Sequence, residues 1–143
     1  MVTWKNIAIF TDAVMILLGF FMLFTGYGMT ARFMERSMAL LFHVGFEKWA
    51  FFAILIIYFV VSEVWVKSYK VLYGKEYDTE TWMGIARELS GWGILVTVSA
   101  MIATGLMGNF GMHNQIDGAF LVLLLIHTLA GFWFYLKRLR RRP

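Results

Sequence analysis

Three histidines carry most of the chemistry available to this chain, and two of them share one apolar segment. His113 and His127 lie fourteen residues apart in HNQIDGAFLVLLLIHTLAGFWFYLKRLRRR. Fourteen residues is close to four α-helical turns, so both imidazoles leave one helix face, about 21 Å apart along the axis at 1.5 Å per residue. That spacing puts one near each surface of a bilayer. Imidazole is costly inside lipid, and it is there as a rule to bind something or to relay protons. Two at this spacing suggest two stacked haem sites.

Elements able to hold these side chains follow from composition. The chain has 143 residues, 60% hydrophobic and 15% charged, with apolar runs too long for a soluble domain of its size. It reads as an all-α integral membrane protein, one membrane domain over residues 1–143. The first apolar run is long enough to span and no A-x-A-like cleavage site follows it, so the first helix is expected to act as its own insertion signal. Cysteine is absent. That excludes disulfides, thiolate-held iron–sulfur clusters and C-x-x-C-H haem attachment, so any haem is non-covalent and held by His or Met.

Four spans are predicted, roughly Ile7 to Tyr27, Met38 to Val66, Ser90 to Met107 and Ile116 to Leu136. The first connection (Gly28 to Ser37) and the third (Gly108 to Gln115) are short; the second (Lys67 to Leu89) is longer and polar. Lys67, Lys70, Lys75 and Arg87 lie in the middle loop, and Lys137, Arg138, Arg140, Arg141 and Arg142 end the chain. By the positive-inside rule both termini and the middle loop are cytoplasmic, with Arg32 and Arg36 opposing but outnumbered. The net charge of +4 then reflects topology, with no case for nucleic acid. YDTETWMGIARELSG in the middle loop could form a short interfacial helix capped by Thr79 or Asp78.

The four spans also read as a bundle built from two helix-pair repeats. LFTGYG ends the first span and IATGLMG the third, and each Thr-Gly is followed by a connection and a helix that opens with His: LFHVGFEKWAFF, then GMHNQIDGAFLV. Laying His43 on His113 puts Ile57 opposite His127. His43 alone, close to Glu47 and Lys48, would pass as an interfacial side chain, and His113 beside Asn114 as a loop histidine. Together they share a depth, as bis-imidazole ligation across a bundle requires. His127 sits deeper, in LLLIHTLAG, either hydrogen-bonded to a neighbouring helix or in contact with a ligand or quinone. Asp12 and Glu63 are the other deep polar residues, and a carboxylate is not a normal haem b ligand.

The remaining features fit ordinary membrane packing. Met15, Met22 and Met101 fill volume, and Trp4, Trp49, Trp65, Trp82 and Trp92 fall near span ends as an aromatic belt. Gly19, Gly26, Gly45, Gly118 and Gly131 permit close approach of a helix or a porphyrin face. No P-loop, Ser-His-Asp arrangement or zinc site is present, and the three histidines differ too much in depth to share one metal.

FTDAVMILLGFFMLFTGYG, LFHVGFEKWAFFAILIIYFV and LLIHTLAGFWFYLKR together resemble the four-helix cytochrome b subunits of membrane formate dehydrogenases and NiFe hydrogenases, over nearly the whole chain. The resemblance implies an outer haem b ligated by His43 and His113. It implies an inner haem ligated by His127 and a first-helix histidine, at a position that falls on or near Asp12. One ligand of the two-haem pattern is thus missing. The resemblance further implies a cytoplasmic-membrane subunit that carries electrons between a docked iron–sulfur subunit and quinone, with primary chemistry in a separate catalytic subunit. Arg32, Arg36 and Lys48 would then face haem propionates or simply anchor the interface.

The expectation is therefore one haem per chain, with His127 and Asp12 lining a quinone or proton site towards the cytoplasm. An anionic Asp12 at that depth needs a proton, a wet cavity or a cation such as Lys5. Two other readings fit the same residues. In a haem-free quinone-binding anchor, His127 and Asp12 would touch the head group; in a small proton-coupled transporter, Asp12, Glu63 and His127 would relay protons.

Overall fold

In this computed structural model, residues 4–32, 35–61 and 82–140 are described, and their regular structure is helical throughout. In chain order it comprises α1 (Trp4–Ala31), α2 (Arg36–Leu40), a π-helical segment (Leu41–Glu47), α3 (Lys48–Phe59), α4 (Trp82–Leu106) and α5 (Phe110–Arg140). Four stretches are long and apolar enough to cross a membrane: Ile9–Gly28, Arg36–Phe59, Trp82–Leu106 and Phe110–Trp133. Large apolar side chains face outward along them, among them Leu17, Val96 and Leu129, each more than 60% exposed. Water would penalise such surface, whereas lipid is the solvent it fits. The chain is a multi-pass, all-helical membrane protein.

Two compact units divide the chain, Met1–Tyr77 and Asp78–Pro143. In the first, α1 packs against the second span. Its buried face runs Thr11, Asp12, Met15, Gly19, Met22 and Thr25, from Asp12 onward the three- and four-residue steps of a helix stripe. The facing stripe is different: Ala39, Glu47, Phe51 and Leu55 are buried, and His43 continues the series at the same four-residue step. Each four-residue step overshoots an α-helical turn by about 40°. A run of them stays on one face only if the helix widens, and the π segment Leu41–Glu47 supplies that widening. Phe21 and Phe42 lock the two helices edge to face, ring centroids 6.3 Å apart.

In the second unit α4 and α5 form a tight antiparallel pair. Ser90, Ile94, Val98, Met101 and Thr104 are buried on α4, and Phe120, Leu124, His127 and Ala130 on α5. At Gly93 the helices come so close that a Cβ would stand 2.9 Å from both Leu123 δ-carbons. Gly108 (φ +70°) closes α4: its N–H donates to the Gly105 carbonyl and that of Asn109 to the Thr104 carbonyl, a Schellman stop. Asn109 then starts α5, its Oδ1 accepting the Met112 N–H at 3.2 Å. Two residues thus end one helix and cap the next.

The first, third and fourth helices run longer than hydropathy predicts, and the predicted end of the second, Val66, lies outside the described residues. The third span begins at Trp82 instead of Ser90, so WMGIARELSG, expected as interfacial helix and loop, is continuous with the membrane helix. The fourth begins at Phe110 instead of Ile116, which puts His113 inside a helix and not in a connection. Hydropathy finds the lipid-immersed stretch. Backbone hydrogen bonding continues through good helix formers such as Ala, Arg, Glu and Leu, and stops only at the Gly108–Asn109 cap. Thr79, Asp78, Glu63, Lys67, Lys70, Lys75, Arg141 and Arg142 lie outside the described residues.

Candidate functional site

His113 shows most plainly how the fold holds an imidazole. The Gly108–Asn109 hairpin returns the chain so that the His113 ring faces the end of α4. Its Nδ1 lies 2.9 Å from the Met101 carbonyl and 3.4 Å from Thr104 Oγ1. A carbonyl only accepts, so Nδ1 carries the hydrogen, and in the neutral ring Nε2 carries the lone pair. The ring rests over Gly105, where a Cβ would stand 3.6 Å from Nδ1.

His127 repeats that arrangement fourteen residues deeper. It is fully buried. Nδ1 lies 3.1 Å from the Arg87 carbonyl and 3.2 Å from Ser90 Oγ, and the ring rests over Gly91, whose Cβ would stand 3.5 Å from Cε1. In both seats the accepting carbonyl is four residues before the glycine. A side chain leans toward the helix N-terminus and would crowd the carbonyl one turn back, so glycine is what leaves that oxygen open to a second donor.

In the first unit the Thr-Gly dipeptide is again under the ring, with a different acceptor. His43 Nδ1 lies 3.1 Å from Thr25 Oγ1, and a Cβ on Gly26 would stand 3.0 Å from its Cε1. Thr25 Oγ1 in turn donates to Glu47 Oε2 at 2.5 Å, one turn along the π segment from His43. A hydroxyl has one hydrogen, and its closest acceptor is the carboxylate. The order is therefore His43 Nδ1–H to Thr25 Oγ1, then Thr25 O–H to Glu47. Glu47 is 1% exposed, and its Oε1 has no hydrogen-bond partner among the described residues.

Each seat offers one imidazole with Nδ1 held by protein and the lone pair directed to Nε2. Metal-ligating histidines are oriented this way by a second hydrogen bond. Among the described residues no three of His, Asp and Glu gather as a metal-ion site. Single imidazoles with Nδ1 engaged are a donor set that could hold haem iron, for which the porphyrin supplies most of the donors.

Asp12 is buried on α1, beside Thr11, whose hydroxyl bonds the Ile7 carbonyl at 3.0 Å. It lies fourteen residues before Gly26, as Gly91 lies fourteen before Gly105. Ile57, fourteen after His43, is 45% exposed. Where the second unit has glycine and histidine, the first has Asp12 and Ile57. Lys48 places its Nζ over the Trp49 ring at 5.3 Å, and Arg32 and Arg36 are exposed. Gly26 shows the close approach of a neighbouring helix, whereas a Cβ on Gly45 or Gly118 would meet no protein atom within 4 Å. His43 and Asp12 belong to the first unit, His113 and His127 to the second.

Sequence reasoning marked the two Thr-Gly pairs as span ends, noted Glu47 only as a neighbour of His43 without its link to Thr25, and missed Ser90-Gly91. A signal existed. In an antiparallel pair, facing residues share one sum of residue numbers; Thr104 with His113 fixes that sum, and Ser90 with His127 has the same one. The chain matches no protein-family model, no curated protein and no solved structure.

Proposed function

We propose that the chain is a haem b-binding membrane subunit of a respiratory oxidoreductase complex, carrying electrons between a docked redox subunit and the quinone pool of a cytoplasmic membrane. The observation that supports this reading is the common seat. His43 and His113, the two outer histidines, each have Nδ1 engaged by protein and rest over the glycine of a Thr-Gly. Each would hold the haem iron through its Nε2. The iron–porphyrin, when bound, supplies the one-electron couple. What the chain's own residues do is hold each ring through Nδ1, let it lie close against a glycine of the facing helix, and surround it with apolar helix faces.

His127 and Asp12 serve the quinone side in this reading. A neutral imidazole with its lone pair on Nε2 accepts a hydrogen bond from a quinol hydroxyl, and a carboxyl group can give or take the proton. The absence of a second histidine at Ile57, together with Asp12 standing where a seat glycine would be, favours this over a second bis-histidine haem. Both termini and the middle loop are proposed to face the cytoplasm, where anionic lipid attracts the basic RLRRR tail.

A reduced-minus-oxidised spectrum with haem extraction and quantitation tests the reading. Low-spin haem b at one per chain is expected, lost in His43→Ala and in His113→Ala and kept in His127→Ala, which instead loses quinone reduction. A colourless protein, or undiminished haem in both outer variants, would overturn it. Two haems per chain, one lost in His127→Ala, would overturn the quinone assignment alone.

A further inference from the structure

We infer that Thr25 and Glu47 are positioning residues that make His43 a more strongly donating, lower-potential haem ligand than a histidine seated on main chain. This rests on the haem reading above. Three observations carry it. The wire His43 Nδ1 to Thr25 Oγ1 (3.1 Å) to Glu47 Oε2 (2.5 Å) ends on a carboxylate, whereas His113 and His127 are seated on neutral carbonyls of Met101 and Arg87. Glu47 Oε2 also approaches His43 Nδ1 directly at 3.7 Å. Finally, Glu47 is buried with one oxygen unpartnered among the described residues.

The last of these points to use and not to packing. A carboxylate taken out of water is costly unless its charge is compensated, and a network with one oxygen unsatisfied is a poor purely structural device. A ferric porphyrin carries a net positive charge at the metal, which the ferrous form loses. A carboxylate one hydroxyl away from the axial imidazole therefore favours the oxidised form, both through space and by drawing the Nδ1 hydrogen so that the ring pushes more electron density to iron. The π segment is what makes this possible: by widening one turn it keeps His43 and Glu47 on the face that meets Thr25. In the second unit Asp117, at the same offset, also lies within electrostatic reach of His113, but it is only partly buried, and the Thr104 hydroxyl donates to the Ala100 carbonyl of its own helix.

The test is potentiometry of the haem-loaded full chain, with haem quantitation and the EPR g-values of the oxidised form as further readouts. Glu47→Gln keeps the shape and weakens the acceptor. It should retain haem and favour reduction by about tenfold, a rise of ~59 mV for a one-electron couple. Thr25→Val breaks the wire and should raise the potential in the same direction. The double variant should fall short of the sum of the two, because both remove one pathway. Thr25→Ser keeps the hydroxyl and should behave as the parent. Thr104→Val, beside a carbonyl-seated ring, should move the potential far less.

Haem retained at an unchanged potential in Glu47→Gln overturns the inference and leaves the haem reading intact. Haem lost from both Glu47→Gln and Thr25→Ser also overturns it, since the pair would then be structural support. A parent chain that binds no haem overturns both.

Discussion

The two helix pairs each hold a histidine, His43 and His113, over the glycine of a Thr-Gly dipeptide and by different chemistry. In the second unit the hairpin is closed by Gly108 and Asn109, and His113 donates to a main-chain carbonyl opened by Gly105. In the first, α1 ends at Arg32 in a left-handed conformation (φ 57°), the following helix widens into a π turn, and His43 donates to a hydroxyl that leads to a buried carboxylate. The second seat is built from backbone and costs little to maintain. The first gathers a π turn and a buried carboxyl group around one ring. Such features persist where surrounding structure over-determines them, and they gather at sites that do something.

The largest effect expected from breaking this comparison comes from filling the glycines. Gly26→Val and Gly105→Val each force a branched side chain under an imidazole, an overpacking cost of about 1–3 kcal/mol. Both should lower the thermal midpoint in detergent and, if the proposed haem is bound, lose it. Alanine separates the two seats. At Gly26 its Cβ would lie 3.0 Å from His43 Cε1, and at Gly105 3.6 Å from His113 Nδ1. Gly26→Ala should shed a measurable fraction of haem while Gly105→Ala keeps it; equal retention would show that the first seat is no tighter than the second.

How much of this could be read from the sequence depends on the scale of the pattern. Four spans were legible because an unbroken run of about 20 apolar residues is rare outside a membrane helix. His43, His113 and His127 were legible because imidazole is rare and costly in lipid. Helix ends were not, since hydropathy says nothing of how far hydrogen bonding continues into WMGIARELSG or where Asn109 caps. The Ser90 seat was not, because a short polar residue in a span usually bonds its own helix, as Thr97 and Thr128 do here, and Glu47 stood out only as a neighbour of His43, with nothing to tie it to Thr25. The π segment left a trace in the four-residue steps from Ala39 to Leu55. That trace is readable only once His43 and Glu47 are known to belong to the buried face.

The connections give the next effect in size. Gly108→Ala places a Cβ at φ +70° and should cost about 1 kcal/mol, with Asn109→Ala costing a similar amount through loss of the α5 cap. The first connection should respond in the opposite sense. Arg32 already occupies the left-handed region, so Arg32→Gly removes strain, offset in part by the added freedom of the unfolded chain, and should stabilise by up to about 1 kcal/mol. Thermal midpoints of the three variants in one detergent check the signs. A destabilised Arg32→Gly would mean that the guanidinium contributes more to that turn than its backbone costs.

The smallest effect sharpens the comparison most. Gly118 and Gly45 follow their histidines at different offsets, and a Cβ at either meets nothing within 4 Å. Gly118 lies in an ordinary α-helix, where alanine is better than glycine by up to about 1 kcal/mol in water and by less where lipid already enforces backbone hydrogen bonding. Gly118→Ala should therefore raise the midpoint slightly and leave the haem spectrum untouched. Gly45 lies inside the π segment between His43 and Glu47. Alanine there stabilises α-helix at least as readily as the wider turn, and a return to α-helical register would swing Glu47 away from Thr25. If the π turn is held by the burial of His43 and Glu47 against α1, Gly45→Ala will match Gly118→Ala in both stability and spectrum. If it is held by glycine's freedom, Gly45→Ala will raise the haem potential as Glu47→Gln does, with haem content unchanged. Potentiometry on the two alanine variants, side by side, decides which residue type maintains the first seat.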